Sequence, residues 1–160
     1  MRFAAVQFDI VWEDKPANHA IVEGMVNAAD PPLSTGSFVL LPELGDTGFS
    51  MNLDRIVDER SLEWARQLAK ERGVFVQHGF ARREAASGPP GRNCAAIISP
   101  DGTVLGEYQK VHPFSYGKEA QHYSGGDHLT IQNGLVPGPV LPDPNIGPAR
   151  DERWHAVDVV

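Results

Sequence analysis

The alternation of apolar and polar stretches in the first part of the chain predicts a strand, a helix and a second strand. Residues 3–8 form a short, apolar and β-prone run. From residue 16 to residue 29 apolar side chains recur at helical spacing, until Asp30-Pro31-Pro32 stops the pattern. Residues 37–41 would be apolar on both faces of a strand, as in a covered sheet. The chain therefore begins β-α-β.

A second helix and three more strands are predicted further along. Ser61 is a suitable N-cap for a helix with one apolar stripe that ends at Gly73. The strands cover residues 74–80, 93–99 and 103–109, and a tight Pro-Asp-Gly turn joins the last two. The order β-α-β-α-β-β-β predicts an α/β (α+β) fold, with a mixed sheet and helices on one or both faces.

The pattern changes after Asp127. Residues 128–132 could form one more strand, but five prolines then follow among glycines, which excludes regular structure. A glycine- and proline-containing loop at residues 83–92 is predicted to be a flexible connection. We therefore expect one domain over residues 1–133 and an irregular Pro/Gly-rich tail over residues 134–160.

Composition and charge narrow the class of partner. The 160 residues include 14 Lys and Arg against 21 Asp and Glu, a formal net charge of −7. This balance argues against nucleic acid or an anionic membrane and favours a small molecule or a protein. The N-terminal segment lacks the apolar core of a signal peptide, and no stretch approaches the roughly 20 apolar residues of a membrane span. We expect a cytoplasmic protein, whose single cysteine, Cys94, makes no internal disulfide.

Glu43 is the first candidate for chemistry. It directly follows the apolar strand at residues 37–41, and Pro42 takes the chain out of the sheet. Its carboxylate should therefore lie at the carboxyl end of a strand, where α/β proteins gather ligands, and could serve as a general base. The alternative is that Glu43 caps the following Gly-Asp-Thr-Gly turn or is simply solvated.

Lys110 directly follows the last predicted strand, as Glu43 follows the strand at residues 37–41. A lysine that is partly buried and paired with a carboxylate can stay charged and stabilise a developing oxyanion. Glu119 is a candidate partner for it. The alternative is an ordinary surface lysine at a strand end.

Three other features invite a functional interpretation. The histidines His112, His122 and His128 do not have the spacing of metal ligands on a helix, so no metal site is expected. Gly125-Gly126 could be an anion-binding turn, although an ordinary turn is commoner. Cys94 could be a nucleophile, but the alternation around it predicts a buried and inert strand residue.

Taken together, three segments resemble the carbon–nitrogen hydrolase (nitrilase) superfamily. They are AAVQFDIVWEDKPANHA near the start, LLPELGDTGFSMN around the first acid, and NCAAIISPDGTVLGEYQKVHPFSYGKEAQHYSGGD at the lysine. The agreement runs in order from about Arg2 to about Asp127. The resemblance implies part of an αββα sandwich with mixed sheets. The sequence from Tyr108 to Phe114 is more similar to the amidase-like branches than to nitrilases proper.

The resemblance also implies roles for the candidate residues. Family members use a Glu-Lys-Cys triad, without a cofactor, on the C–N bonds of amides, nitriles or carbamoyl compounds. By position, Glu43 matches the general base, Lys110 the oxyanion-stabilising lysine and Glu119 a second glutamate that positions substrate and lysine. A small amide is the implied partner, and a homodimer is the implied assembly.

The family's nucleophile has no counterpart in this chain. In relatives it lies on a strand downstream of the lysine loop, in a Cys-Tyr-Asp context, whereas nothing after Asp127 is similar and Cys94 lies upstream of Lys110. We expect either a truncated or frameshifted hydrolase product, inactive alone, or a short protein that kept a binding pocket without the reaction. The abrupt change to Pro/Gly-rich sequence favours the first.

Overall fold

The computed structural model describes residues 2–84, 89–115 and 117–127. Within these ranges the strands are β1 (Phe3–Ala5), β2 (Phe38–Leu40), β3 (Phe75–Arg83), β4 (Gly91–Ile98) and β5 (Val104–Gln109). The helices are α1 (Lys15–Asn27), α2 (Leu53–Ile56) and α3 (Arg60–Arg72), followed by a 3₁₀ turn at Glu119–Gln121. The predicted strand at 128–132 and the tail at 134–160 lie outside the described residues.

The five strands form one mixed sheet in the order β1-β2-β3-β4-β5. The first three are parallel, because α1 and α3 lie in the connections between them, and the last two are antiparallel because short turns join them. The predicted mixed α/β sheet is confirmed. The predicted Pro-Asp-Gly turn is also confirmed, with Gly102 at φ +80° and its N–H donating to the carbonyl of Ser99 at 2.8 Å.

Helices α1 and α3 cover one face of this sheet, which we call the helix face. Val39, Val76 and Ile98 are paired in register across β2, β3 and β4 and form a buried row on this face. The apolar stripes of the two helices pack on that row, through residues that include Val22, Val26, Ala65 and Leu68. Burial of these stripes is what the helical periodicity predicted, and it leaves the other face of the sheet for the candidate site.

One predicted helix boundary is wrong. Ser61 is not an N-cap: it is buried inside α3, which begins at Arg60 and ends, as predicted, at a left-handed Gly73. The physical reason is Asp58, whose carboxylate accepts the backbone N–H of Arg60 at 3.0 Å and so satisfies a free donor at an earlier position. The hydroxyl of Ser61 is thereby left to point inward.

The connection predicted at residues 83–92 is shorter than expected. The antiparallel ladder of β3 and β4 continues until Arg83 pairs with Gly91, since hairpin pairing continues while the backbones stay in register. The single-turn helix α2 was not predicted, because four residues are too few to show a helical period. In the described ranges, no helix has the length and apolar character that crossing a membrane demands.

Candidate active site

Glu43 lies in a tight turn of residues 42–48, which we call the Glu43 turn. Its backbone bonds include Gly45 N–H to the carbonyl of Pro42 at 3.1 Å and Gly48 N–H to that of Leu44 at 2.8 Å, with Leu44 at φ +48°. The turn passes over Gly79 of β3 so closely that a β-carbon there would lie 3.0 Å from the α-carbon of Glu43. The bare backbone of Gly79 therefore allows the turn to bring Glu43 onto the sheet.

Lys110 follows β5 and contacts both candidate carboxylates. Its Nζ lies 2.7 Å from Oε1 of Glu43 and 3.0 Å from Oε2 of Glu119. Burial opposes the charged ammonium, but the hydrogen bonds and negative charges of the two glutamates outweigh it and raise the pKa of Lys110. The structure thus brings Glu43 together with Lys110 and Glu119, although 67 residues separate Glu43 from Lys110.

Glu119 is the buried member of this group, with 1% of its side chain exposed. It begins the 3₁₀ turn, and its Oε2 accepts the backbone N–H of Phe114 at 2.5 Å as well as the Lys110 ammonium. Desolvation favours the protonated acid, but hydrogen bonds from Asn93, Phe114 and Lys110 dominate and lower the pKa of Glu119. This carboxylate therefore stays charged beside Lys110 at neutral pH.

Asn93 is a site residue that the sequence analysis missed. It lies on β4, where its Nδ2 donates to Oε1 of Glu43 at 2.6 Å and to Oε1 of Glu119 at 2.8 Å. One amide group thus satisfies both carboxylates while Lys110 neutralises them. The sequence could have identified Asn93 through the alternation of side chains along the strand, because alternation places Asn93 on the face opposite its neighbour Cys94.

Cys94 lies on the helix face and not at this site. Its neighbours there are Phe80, Ala96 and Leu62. Burial raises the pKa of its thiol to about 11. Since successive strand residues point to opposite faces, the strand itself separates this thiol from the carboxylates that Asn93 contacts.

The glycine pair Gly125-Gly126 packs on neighbouring backbone carbonyls, and two of the three histidines, His112 and His122, lie among the described residues. The backbones of Gly125 and Gly126 lie against the carbonyls of Val111 and Gln109, and carbonyl oxygens repel an anion. Across the described ranges no three His, Cys, Asp or Glu side chains are placed to hold a metal ion. His128 lies outside those ranges.

The geometry suits proton transfer and stabilisation of negative charge on a small molecule. The side chains of Glu43 and Lys110 keep 24% and 19% of their surface exposed, so a ligand can reach both. The Lys110 ammonium also lies 5.5 Å from the centre of the Phe49 ring, an apolar wall beside the charges. A carboxylate that accepts a proton next to a fixed ammonium is an arrangement used for acyl chemistry.

Comparisons with known proteins identify relatives of this arrangement. The family model for carbon–nitrogen hydrolases matches residues 2–132. The 2-oxoglutaramate amidase of Bacillus subtilis (strain 168) is 29% identical over 127 residues, which are 77% of this chain and 47% of that protein.

Solved structures show the same fold. XC1258 from Xanthomonas campestris, a CN-hydrolase superfamily protein with an arsenic adduct in its active site, superposes with a TM-score of 0.69 at 26% identity, covering 82% of this chain and 48% of that one. A mutant amidase from Nesterenkonia sp. AN1, with acrylamide added at its active-site cysteine, gives 0.67 at 21% identity, covering 80% and 50%. The chain spans about half the length of these relatives.

Proposed function

This chain belongs to the carbon–nitrogen hydrolase family, and we propose that Glu43, Lys110 and Glu119 form the base and oxyanion side of an amidase-type site. The observation that carries the proposal is the shared ammonium: Lys110 Nζ lies within 3.0 Å of a carboxylate oxygen of each glutamate. The three residues come from three places in the chain: the end of β2, the end of β5 and the 3₁₀ turn. Local chain geometry does not require them to meet at the Lys110 ammonium.

Each residue has a distinct role in this proposal. Glu43, the more exposed carboxylate, accepts the proton of the attacking group. Lys110 neutralises the oxyanion that forms when a carbonyl carbon becomes tetrahedral, and the two glutamates keep it charged until then. Glu119, buried and held by three donors, fixes the position of the ammonium.

The proposed ligand class is small amides. Support comes from the Bacillus subtilis relative, which is named an amidase, and from a site that exposes one acid, one cation and one aromatic wall. A cytoplasmic location, a homodimer, and the absence of nucleic-acid and membrane partners remain predictions from the sequence, as do the domain limits of 1–133 and 134–160.

We further propose that the 160-residue chain does not turn over amides by itself. Covalent catalysis on an amide requires a nucleophile within reach of the base, and the single cysteine lies on the opposite face of the sheet. Its raised pKa also leaves little thiolate at neutral pH.

Ammonia release from small aliphatic amides and from 2-oxoglutaramate tests this proposal. We expect no turnover above the blank from the wild-type chain, from Glu43→Gln or from Cys94→Ser. Enzyme-like turnover that Glu43→Gln abolishes would show that the chain is active alone. Turnover that Cys94→Ser abolishes would make Cys94 the nucleophile.

A second candidate function is non-catalytic binding of a small molecule. The position of Cys94 favours it, since the site keeps its charged groups but faces no thiol from the described residues. Thermal melting with a panel of small amides and carboxylic acids separates the candidates. A ligand that raises the melting temperature of wild type and of Lys70→Met, an exposed lysine on α3, but not of Glu43→Gln indicates binding at this site. A panel without effect argues against a binding function.

A further inference from the structure

The Glu43 turn carries a second carboxylate that the proposed reaction does not use. Asp46, three residues after Glu43, is 2% exposed. Its Oδ2 lies 3.4 Å from Nε2 of His19 on α1 and 3.5 Å from Nε2 of His78 on β3. Its backbone carbonyl accepts a hydrogen bond from Nδ2 of Asn18 at 2.9 Å. Side chains of α1 and of β3 therefore hold the Glu43 turn through their contacts with Asp46.

Two neighbouring residues of β3 contact the two ends of this turn. Gly79 touches the backbone at Glu43, on the face of the sheet that carries the ion cluster of Glu43, Lys110 and Glu119. His78 points to the helix face, since its ring packs against Trp64 of α3 at 5.4 Å, and there it meets Asp46. The turn thus straddles β3, with Glu43 on one face and Asp46 on the other. Only two residues separate Asp46 from Glu43, and backbone hydrogen bonds within the turn connect this stretch.

The buried polar atoms around Asp46 cost folding free energy. Oδ1 of Asp46 and both ring nitrogens of His78 are buried, and none has a hydrogen-bond partner among the described residues. Each unpaired buried polar atom costs about 1–3 kcal/mol. Well-packed apolar side chains of similar volume can often replace a whole buried ion pair without loss of stability. Stability alone is thus a poor explanation for an acid and two imidazoles at this position.

The charge of Asp46 is maintained by the groups that face it. Burial favours the neutral acid, but the hydrogen bond from His19, the nearby His78 imidazole and the Ser61 hydroxyl hold the pKa of Asp46 well below its usual range. The titratable groups facing it are His19 from α1 and His78 from β3. From α3 it meets the Ser61 hydroxyl and, through the imidazoles, the Trp64 ring, which stacks on His19 at 3.9 Å.

The Trp64 indole is itself fixed by a carboxylate of α1. Its Nε1 donates to Glu23 at 2.7 Å, so the ring that stacks on His19 is held in place. Asp46 is therefore an anion whose partners are anchored on three elements.

We propose that Asp46 is a positioning residue: its carboxylate, held between His19 and His78, sets where the Glu43 turn places the Glu43 carboxylate against Lys110. The inference rests on the proposed function only in giving Glu43 the role of base. The coupling from Asp46 to the Glu43–Lys110 pair can be measured without any substrate.

The test is the pKa of Lys110 in the full chain, followed through the ¹³Cε chemical shift of that lysine. In Asp46→Asn, which keeps the shape and removes the charge, we expect this pKa to fall measurably towards the ordinary lysine value, because the Glu43 carboxylate moves away. The backbone amide resonances of Leu44, Gly45 and Gly48 should shift with it.

The matched control is Asp101→Asn. Asp101 is another hydrogen-bonded aspartate with a lowered pKa of about 2, but it lies in the turn at the end of β4 remote from Asn93. It should leave Lys110 unchanged. A merely structural role of Asp46 would lower the stability of the variant without changing the Lys110 pKa of its folded form, so a folded Asp46→Asn with the wild-type Lys110 pKa overturns the inference.

A second variant covers the case in which Asp46→Asn does not fold. His19→Phe keeps the stack on Trp64 and removes one donor to Asp46, so the same titration should show a smaller fall in the Lys110 pKa. An unchanged value there overturns the inference. Failure of the proposed function is a separate result, since a chain that binds and hydrolyses no amide can still show the coupling between Asp46 and Lys110.

Discussion

At the residue scale, Asn93 determines how two carboxylates can share one ammonium. Two glutamates close to one another would repel, and one of them would take up a proton. The Asn93 amide donates one hydrogen bond to each glutamate, and Lys110 supplies a positive charge beside both. The charges of the site therefore depend on a neutral side chain as much as on the lysine.

The change Asn93→Asp tests this account. It puts a third carboxylate within about 3 Å of the other two, and we expect a loss of roughly 2–4 kcal/mol in the free energy of unfolding at pH 7. The loss should shrink towards about pH 4.5, because the introduced carboxyl group can then take up a proton and donate it to a glutamate. Urea unfolding at both pH values measures it. Asn52→Asp, the same change at an exposed position before α2, is the control and should be nearly neutral.

Cys94 gives a second prediction at this scale. Because the thiol is buried and its pKa is raised to about 11, we expect its reaction with a thiol reagent at pH 8 to be at least about 100-fold slower than that of a free cysteine. The reaction should reach the rate of a free thiol in denaturing urea. Fast labelling of the folded chain would contradict the burial of Cys94 on the helix face.

At the scale of the elements, the site depends on how closely the Glu43 turn lies on β3. A turn that leaves β2 can reach across β3 only where that strand has no side chain, and Gly79 provides this gap. Helices α1 and α3 contribute from the other face, through the packing that holds Asp46 and its partners. Contacts on both faces of β3 therefore position Glu43.

Gly79→Ala should be strongly unfavourable. The added methyl group would lie 2.9 Å from the backbone nitrogen of Leu44 and 3.0 Å from the α-carbon of Glu43, and backbone atoms cannot move as a side chain can. We expect a loss of about 1–3 kcal/mol in the free energy of unfolding and a displaced Glu43 turn. Chemical denaturation and the Lys110 pKa report the two effects.

Gly24→Ala is the control, because Gly24 lies inside α1 with nothing within 4 Å of an added β-carbon. We expect it to stabilise the chain by roughly 0.5–1 kcal/mol. If Gly79→Ala behaved like this control, the close approach of the turn to β3 would be wrong.

At the scale of the whole molecule, the ion cluster joins segments from the end of β2, from β4 and from the chain after β5. Such a cluster links folding to pH with a defined sign. The pKa of Glu119 is lowered in the folded protein, so its contribution is present above the unfolded value and is lost as the pH falls through the folded one. The pKa of Lys110 is raised, so its contribution is present below the unfolded value and is lost as the pH rises through the folded one.

We therefore expect the free energy of unfolding to be greatest between about pH 5 and pH 10 and to fall at both ends. Urea midpoints measured from about pH 3 to pH 11 test this. In Glu119→Gln the decline between about pH 5 and pH 3 should be shallower than in wild type, because one titrating group is gone. Parallel declines in the two proteins would show that Glu119 is not linked to folding.

Much of the architecture is visible in the chain order. The alternation of strands and helices predicted the mixed sheet, and the helical stripes predicted that each of the two long helices buries one side. The start of α3 was missed because a side chain two residues before Arg60, not Ser61, satisfies its first turn. Helix α2 was missed because its single turn is too short to show a helical period in the sequence.

The sequence by itself determined the family resemblance, the strand ends at Glu43 and Lys110, and the burial of Cys94, because these follow from local periodicity and motif order. The sequence also grouped Glu43, Lys110 and Glu119, but the tertiary structure alone placed Asn93 between the two glutamates and Asp46 between two histidines. Contacts between residues far apart in sequence depend on strand register and on the path of a turn over Gly79, and neither leaves a periodic mark in the sequence.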